Sequence, residues 1–309
     1  MREGATPPPP PTLTQSTREL LERLPSLHDV QEVGAALWEA RRDDAFIAWV
    51  AEHLGPLLMR YFGAEVFGLE RWPEGPALCV GNHSGGLLSP DSFVFGAALV
   101  KEHGVEEIPF ALGHDVVLDA PALGWLLRKL GAVPANHGGA HACFAADRKV
   151  LVYPGGDVDA MRPSRLRHQI CFGGRKGYVR LALREGVPLV PIVAAGAHSG
   201  FYLFGDLAPL LRLVGLAQLF RLKTWPMGVS IPWGFTLGPP PPYFPPPTRI
   251  LIEVMEPIVF GRQGPEAAED AAYVEACDRM VRARMQSVMD RLVQERRRRG
   301  RWAHTDWQR

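Results

Sequence analysis

The sequence predicts an α/β fold with helices at both ends, and three observations carry that prediction. From Val66 onward, short apolar runs bounded by Gly and Pro alternate with segments of helical spacing. Polar helix-like segments precede this alternation, and a long helix-patterned stretch near residues 266–299 follows it. Composition agrees: of 309 residues, 47% are hydrophobic and 22% charged, the proportions of a globular chain able to build a core.

Taken in order, residues 1–16, "MREGATPPPPPTLTQS", lack the apolar centre of a signal peptide and read as an extended leader outside the fold. Residues 17–65 read as N-terminal helices. Within them "DDAFIAWVAEHLGPLLMRYF" places Phe46, Val50, Leu54, Leu57, Leu58 and Tyr61 on one stripe, with Asp43 and Asp44 suited to its start. Pro56 weakens this helix without having to end it. The stripe fits a helix docked on the core, or one resting on a membrane with Trp49 near the interface.

The core domain is expected over 66–262. Its strands are expected at 77–80, 107–111, 132–133, 150–153, 189–194 and 250–254. Between them "PDSFVFGAALVKEHG", "PALGWLLRKLG", "HACFAADRK" and "GGRKGYVRLALREG" carry helical spacing, the last with Tyr178, Leu181 and Ala182 inward and Gly186 as a stop. The segment 206–226, "DLAPLLRLVGLAQLFRLKTWP", has the composition of an amphipathic surface element or of a core helix, and "GPPPPYFPPPT" reads as a rigid connector. Residues 263–309 form a C-terminal helix with a stripe of Tyr273, Cys277, Met280, Val281, Val288 and Leu292. It ends in "RRRRGR", read as a solvated tail or as a contact for anionic headgroups, worth about 1 kcal/mol per charge near the surface.

Several function classes recede at this level. A formal net charge of +1 supplies no global field for nucleic acid. Cys79, Cys143, Cys171 and Cys277 show no CxxC or zinc-like spacing, so neither a disulfide framework nor a bound metal is expected, and a reducing, cytoplasmic compartment fits. The charge-free stretches are broken by Pro and Gly, so no spanning helix is expected, although a chain lying on a bilayer remains compatible.

Two stretches can carry chemistry. In "ALCVGNHSGGLLSPDSFVFG" an apolar run delivers Asn82, His83, Ser84, Gly85 and Gly86 to a strand's C-terminal end, where open α/β sheets place their sites. His83 could act as a general base if a carboxylate held its other ring nitrogen, and Asp91 is the nearby acid. Ser89 and Pro90 suit a helix start, so Asp91 also has the plainer role of favourable charge in a first turn. In "LVYPGGDVDAMRPSRLRHQICFGGRKG" the Gly155–Gly156 pair allows close backbone approach, while Arg162, Arg165, Arg167, Arg175 and Lys176 gather positive charge, so an anionic group is expected there. No G-x-S-x-G marks a serine esterase, since "GAHSG" has His198 at the central place. "HGGAH" spaces two histidines for a metal, yet its Gly pair argues against the helix that a metal pair would need.

Taken in order, "GNHSGG…PD", "LGAVPAN", "VYPGGD…R", "FGGRKGYVRLAL" and "VPIVAAG" resemble the glycerolipid acyltransferases, over roughly residues 45–260. The resemblance implies a mixed, largely parallel sheet flanked by helices, and transfer of a fatty acyl group from coenzyme A or acyl carrier protein to a lipid hydroxyl. It casts His83 as base and Asp91 as the residue orienting it. It implies no cofactor beyond the thioester substrate, no metal, and peripheral association with the inner face of a membrane. Substrate contacts are expected from Asn82, Ser84, Gly85, Gly86, Asn136, Pro154, Gly155, Gly156, Arg162, Arg175 and Lys176. The sequence departs from the pattern in spacing, since the family's Asp place is taken by Leu88, and in the loss of the Glu and Arg that usually flank an acceptor phosphate, replaced by Gly156 and Asn136. The loss of those two residues argues against a lysophosphatidate acceptor, and "PGG" together with "RKG" and a hydrophobic, Pro-rich C-terminal third is closer to the branch that acylates neutral lipid alcohols such as diacylglycerol. A peripheral lipid-binding protein without turnover is the non-enzymatic alternative.

Overall fold

The computed structural model describes residues 42–86, 89–207, 225–238 and 243–300. The expected leader, the polar helices of 17–42 and nearly all of the 206–226 segment lie outside the described residues. Two sheets form the frame. The larger has seven strands: β1 (Glu65–Phe67), β2 (Leu78–Gly81), β3 (Phe110–Gly113), β4 (Ala132–Pro134), β5 (Val150–Val152), β6 (Leu189–Ala195) and a last strand, Leu251–Val254. Their spatial order is β1, Leu251–Val254, β6, β2, β5, β3, β4. The five strands from β6 to β4 run parallel, and Leu251–Val254 pairs antiparallel with β6 and parallel with β1. The sheet is therefore mixed and largely parallel, and all six expected strands are present within a few residues. The 107–111 expectation is displaced, because Val105–Glu107 form a 3-10 turn before β3 begins at Phe110.

Helices cover both faces. On one side α1 (Asp44–His53), α2 (Gly55–Tyr61) and α3 (Pro90–His103) meet the sheet through Phe62, Val94, Phe95, Leu99, Cys79 and Ile252. The single N-terminal helix expected from sequence is two, parted at Leu54, with Pro56 in the first turn of α2. Its stripe is also corrected: Leu54 and Leu57 face solvent, whereas Ile47 and Gly55 are buried, Gly55 lying against Ala97 of α3. Asp43 caps α1 by accepting from Phe46 N–H at 2.9 Å.

Along the middle of the chain run α4 (Asp115–Leu118), α5 (Pro121–Lys129), α6 (His137–Ala145), a short turn of helix α7 (Gly156–Ala160), and α8 (Gly177–Glu185). The HGGAH stretch does form the start of α6, contrary to the expectation set by its glycines, because Asn136 caps it through Gly139 N–H at 2.8 Å. His141 there pairs with Glu185 at 2.7 Å. Among the described residues, no group of three or more His, Cys, Asp or Glu side chains is placed to hold a metal ion. In α8, Tyr178, Leu181 and Ala182 are buried and Gly186 ends the helix, as its spacing predicts.

The smaller sheet has three antiparallel strands, β7 (Tyr202–Asp206), β8 (Pro226–Ser230) and β9 (Gly234–Leu237). Sequence reading missed it, since this stretch reads as surface segment and connector. With the small sheet numbered, Leu251–Val254 is β10. The described residues end with α9 (Pro265–Glu269) and α10 (Ala271–Arg299), a helix pair where one helix was expected. Val274, Cys277, Val281, Met285, Met289 and Leu292 of α10 join the core on the second face of the large sheet. No helix among the described residues is long and apolar enough to cross a membrane.

The arginine run at the end of α10 is not uniformly solvated. Arg296 is buried, donating to the Arg249 carbonyl at 2.7 Å and to Thr248 Oγ1 at 2.8 Å. Arg299 reaches Glu65 at 2.5 Å and Glu295. The run thus fastens α10 to the β1/β10 edge. Replacing Arg296 by Ala should cost about 2–3 kcal/mol, the loss of charged hydrogen bonds in a buried place. Arg297→Ala, at an exposed position, should leave urea unfolding unchanged.

Candidate active site

The C-terminal ends of β6, β2 and β5 lie side by side, and each hands its chain to a turn bearing polar groups. From β2 come Asn82, His83 and Ser84. Asn82 is buried and clamps the neighbouring strand, donating to the Ala194 carbonyl at 3.0 Å and accepting from Ala194 N–H at 2.8 Å. Its amide also donates to Ser84 Oγ at 3.1 Å. Asn82 therefore sets the height at which His83 leaves the sheet, rather than facing a ligand.

His83 is held by its main chain. Its N–H donates to Asp159 Oδ2 at 2.6 Å, and its carbonyl accepts from Arg162 at 2.9 Å. Asp159 and Arg162 form a buried ion pair at 2.5 Å, one turn apart around α7. Arg162 also donates to the Leu166 and Arg167 carbonyls. His198, from the turn after β6, places Nε2 2.8 Å from the Arg162 carbonyl. Burial pushes the Asp159 carboxyl up to about 6, opposed by the Arg162 charge.

The His83 ring packs on Tyr153, which follows β5, with centroids 4.8 Å apart. Burial, then the positive charge of Arg162, depress its pKa to about 4, against a backbone contact at Ser84 that raises it. The imidazole is therefore neutral at pH 7, the form that can accept a proton. Its Nδ1 is buried and has no hydrogen-bond partner among the described residues.

Asp91 does not supply that partner. It is buried in the first turn of α3, with Oδ1 3.2 Å from Ser89 Oγ, and no hydrogen bond joins it to His83. Burial pushes its carboxyl up to about 7, against hydrogen bonds from Ser89 and the first-turn backbone. A run of contacts leads back toward the imidazole: Ser89 Oγ to Ser92 Oγ at 3.0 Å, Ser92 Oγ to Tyr153 OH at 2.6 Å, and the Tyr153 ring against His83. Asp91 and Tyr153 border a cavity of about 10 Å³, the space of one water, with Phe95 and Ile192. Ser89 is not the expected helix cap. It sits at φ 38° and turns its hydroxyl to Ser84, Asp91 and Ser92 instead of the helix N–H groups.

The glycines bend the chain against the protein itself. Gly85 has φ 75°, and a Cβ there would sit 2.6 Å from Pro90. A Cβ on Gly155 would collide with Asp159 and the Cys171 carbonyl, and Gly156 N–H is committed to the Tyr153 carbonyl at 3.0 Å. Gly86 abuts Phe201.

The expected anion-binding cluster is largely neutralised from within. Arg162 pairs with Asp159; Arg175 binds Asp157 at 2.7 Å and the Gly155 carbonyl at 2.7 Å; Lys176 pairs with Glu275. Arg167 donates to the Ser164 carbonyl at 2.9 Å. Arg165 is exposed and has no partner among the described residues. The Pro154 carbonyl accepts from Arg175 at 3.3 Å, while Asn136 serves α6 two strands away. Sequence reading overlooked Tyr153, Asp159 and His198 as parts of the site. Only the Asp159–Arg162 spacing, three apart on a helical turn, signalled its pairing in advance.

Residues 63–195, which include this site, match the family model described as Acyltransferase. The domain belongs to the acyltransferase family. The chain is 30% identical over 239 residues to an uncharacterized protein of Mycobacterium tuberculosis, covering 77% of this chain and 63% of that protein. It is 28% identical over 215 residues to the Mus musculus protein named DGAT1/2-independent enzyme synthesizing storage lipids, covering 68% of this chain and 60% of the relative. The chain thus spans less than two thirds of the length of these relatives. The crystal structure of the 1-acyl-sn-glycerophosphate (LPA) acyltransferase PlsC from Thermotoga maritima superposes with a TM-score of 0.46 at 16% identity, over 82% of this chain and 79% of that one.

Two outcomes test the acyltransferase domain's frame. Arg162→Met, which strands a buried carboxylate, should destabilise by about 3–5 kcal/mol in urea unfolding, and adding Asp159→Leu should recover part of that loss. Asp91 has a folded pKa raised above the unfolded value, so its contribution is present at low pH and is lost as pH rises from about 4 to about 7. Across that window wild type should lose thermal stability relative to Asp91→Asn, with no further divergence above it.

Proposed function

We propose that the domain transfers a fatty acyl group from a thioester, on coenzyme A or acyl carrier protein, to the hydroxyl of a lipid alcohol met at a membrane surface. The observation that carries this reading is His83: a neutral imidazole, pinned through its main chain, at the C-terminal ends of three adjacent strands of an acyltransferase-family domain. In the reaction, His83 takes the acceptor's hydroxyl proton as the oxygen attacks the thioester carbonyl. The tetrahedral oxyanion collapses, the C–S bond breaks, and the thiolate takes the proton back from the imidazolium. No cofactor enters this balance.

The acceptor is read as uncharged at the reacting end. A lysophosphatidate needs a cation cluster near the base, and Arg162, Arg175 and Lys176 already have carboxylate partners. The storage-lipid name of the mouse relative supports a neutral glycerolipid acceptor. The lack of a partner for His83 Nδ1 among the described residues favours one other reading, a lipid-binding domain without turnover.

Radiolabelled acyl-CoA offered with lysophosphatidate, lysophospholipid, monoacylglycerol, diacylglycerol and long-chain alcohol should yield one labelled lipid, from a neutral acceptor. His83→Ala should lower the rate by roughly 10²–10⁴-fold at unchanged melting temperature. Undiminished transfer by that variant removes His83 from the mechanism, and absence of any product supports lipid binding alone.

A further inference from the structure

The small sheet has two unlike faces. Leu203, Gly228 and Ser230 point inward and are buried, whereas Tyr202, Phe204, Phe235 and Leu237 point outward, each more than half exposed. The register aligns Tyr202 with Val229 and Val229 with Phe235 in one row across all three strands, and Phe204 sits at the irregularity of β7 with its ring near both Tyr202 and Phe235. A solvated antiparallel sheet alternates apolar inside with polar outside. Here the outer positions are aromatic and aliphatic as well, a contiguous patch of a kind that soluble surfaces ordinarily avoid. Trp233, in the β8–β9 turn, extends it and is also more than half exposed.

Two features of the chain say what covers this face. No acidic residue lies between Asp206 and Glu253, although Arg212, Arg221, Lys223 and Arg249 fall within that stretch. The stretch of chain that builds β8 and β9 thus brings no carboxylate and, in sequence, several basic residues, a composition that complements anionic headgroups, while Asp206 stands at the far end of β7. The face is also tied to the candidate site: Tyr243 OH donates to the Gly85 carbonyl at 2.6 Å, Leu203 N–H donates to Ser164 Oγ at 2.9 Å, and Phe201, just before β7, packs on His198 and Tyr243. A lipid drawn from a bilayer in contact with the sheet would enter beside the loop that carries His83. Aromatic rings with a polar edge, such as Tyr202 and Trp233, suit the headgroup level.

We propose that the outer face of the small sheet is a membrane-docking surface, inserting Trp233, Phe235 and their neighbours among the headgroups of an anionic bilayer and so presenting the acceptor lipid to His83. The proposal rests on the acyl-transfer reading for its choice of occupant. Its test needs no turnover, so the two can fail separately.

The full chain is pelleted with phosphatidylcholine vesicles containing or lacking phosphatidylglycerol. Wild type should bind both, more tightly the anionic ones. The double variant Trp233→Ser, Phe235→Ser should bind at least about tenfold more weakly, the loss expected when two rings leave the interface. Its melting temperature should change little, because each side chain is more than half exposed. Val259→Ser, which removes an exposed apolar residue outside this sheet, should bind as wild type does. Equal pelleting of the double variant and wild type overturns the proposal. So does gel filtration showing a wild-type dimer that the double variant dissolves, which would assign the face to a second copy of the chain.

Discussion

The ion pair between Asp159 and Arg162 is the constraint on which the site depends. Each partner is buried, and each also holds one side of the His83 peptide: the carboxylate takes its N–H and the guanidinium its carbonyl. Burying two charges costs several kcal/mol apiece, recovered only when every donor and acceptor is satisfied. Arg162 meets that demand with six acceptor groups on five residues, His83, Asp159, Ser84, Leu166 and Arg167. A weaker set would leave the pair strained and His83 free to swing. Asn82 adds a second anchor, through β6, so the residue before the base and the base itself are both fixed by backbone contacts. Geometry rather than charge on the imidazole keeps His83 in place.

The same desolvation logic explains why the basic residues face inward. A run such as "RPSRLRHQICFGGRKG" resembles an anion cradle when read as a string, because a string shows cations without their partners. In space, Asp157, Asp159 and Glu275 meet three of the five. The partner of Lys176 lies about a hundred residues away on α10, so no local reading could pair them. Among the described residues this leaves little unpaired positive charge near His83, which is the ground for proposing an uncharged acceptor. The arginines closing α10 follow the same rule, since Arg296 and Arg299 spend their charge on the β1/β10 edge.

Much of the fold was legible because it rests on short-range pattern. Buried parallel strands such as β2 and β6 read as unbroken apolar runs, and α8 shows its face and its stop through Tyr178, Leu181 and Gly186. His83 was legible for a related reason: a strand end followed by a Gly-rich turn exposes whatever stands there. The rest failed where tertiary context overrides local signal. The capping bond of Asn136 and the burial of Ala140, Ala142, Cys143 and Phe144 together offset the cost of two glycines in α6. The break at Leu54 falls where Pro56 has no N–H for the Glu52 carbonyl, and Gly55 there lies close to Ala97, which a stripe count does not register. The small sheet escaped because both of its faces are apolar, which erases the alternation that identifies a strand. Tyr153 and Asp159 gain their roles only through neighbours on β2 and α3.

Asp91 shows how far position and protonation separate in this site. In the proposed reaction the imidazolium carries two N–H donors, and the one on Nδ1 has no acceptor among the described residues. A buried donor without a partner disfavours the charged ring, consistent with a base whose pKa lies near 4. Asp159 cannot relieve this, being engaged with Arg162 and the His83 N–H. Asp91 carries no cation of its own and, with a pKa near 7, exchanges its proton at the pH where the reaction would run. Its link to the ring passes through Ser89, Ser92 and Tyr153, so its ionisation would act on His83 by orienting hydroxyls rather than by direct contact. The eight-residue spacing between His and Asp therefore corresponds, in the folded chain, to a run of hydroxyl contacts ending on the Tyr153 ring in place of a direct pair, and the proposed base has most to gain when substrate excludes water and brings its own acceptor to the ring.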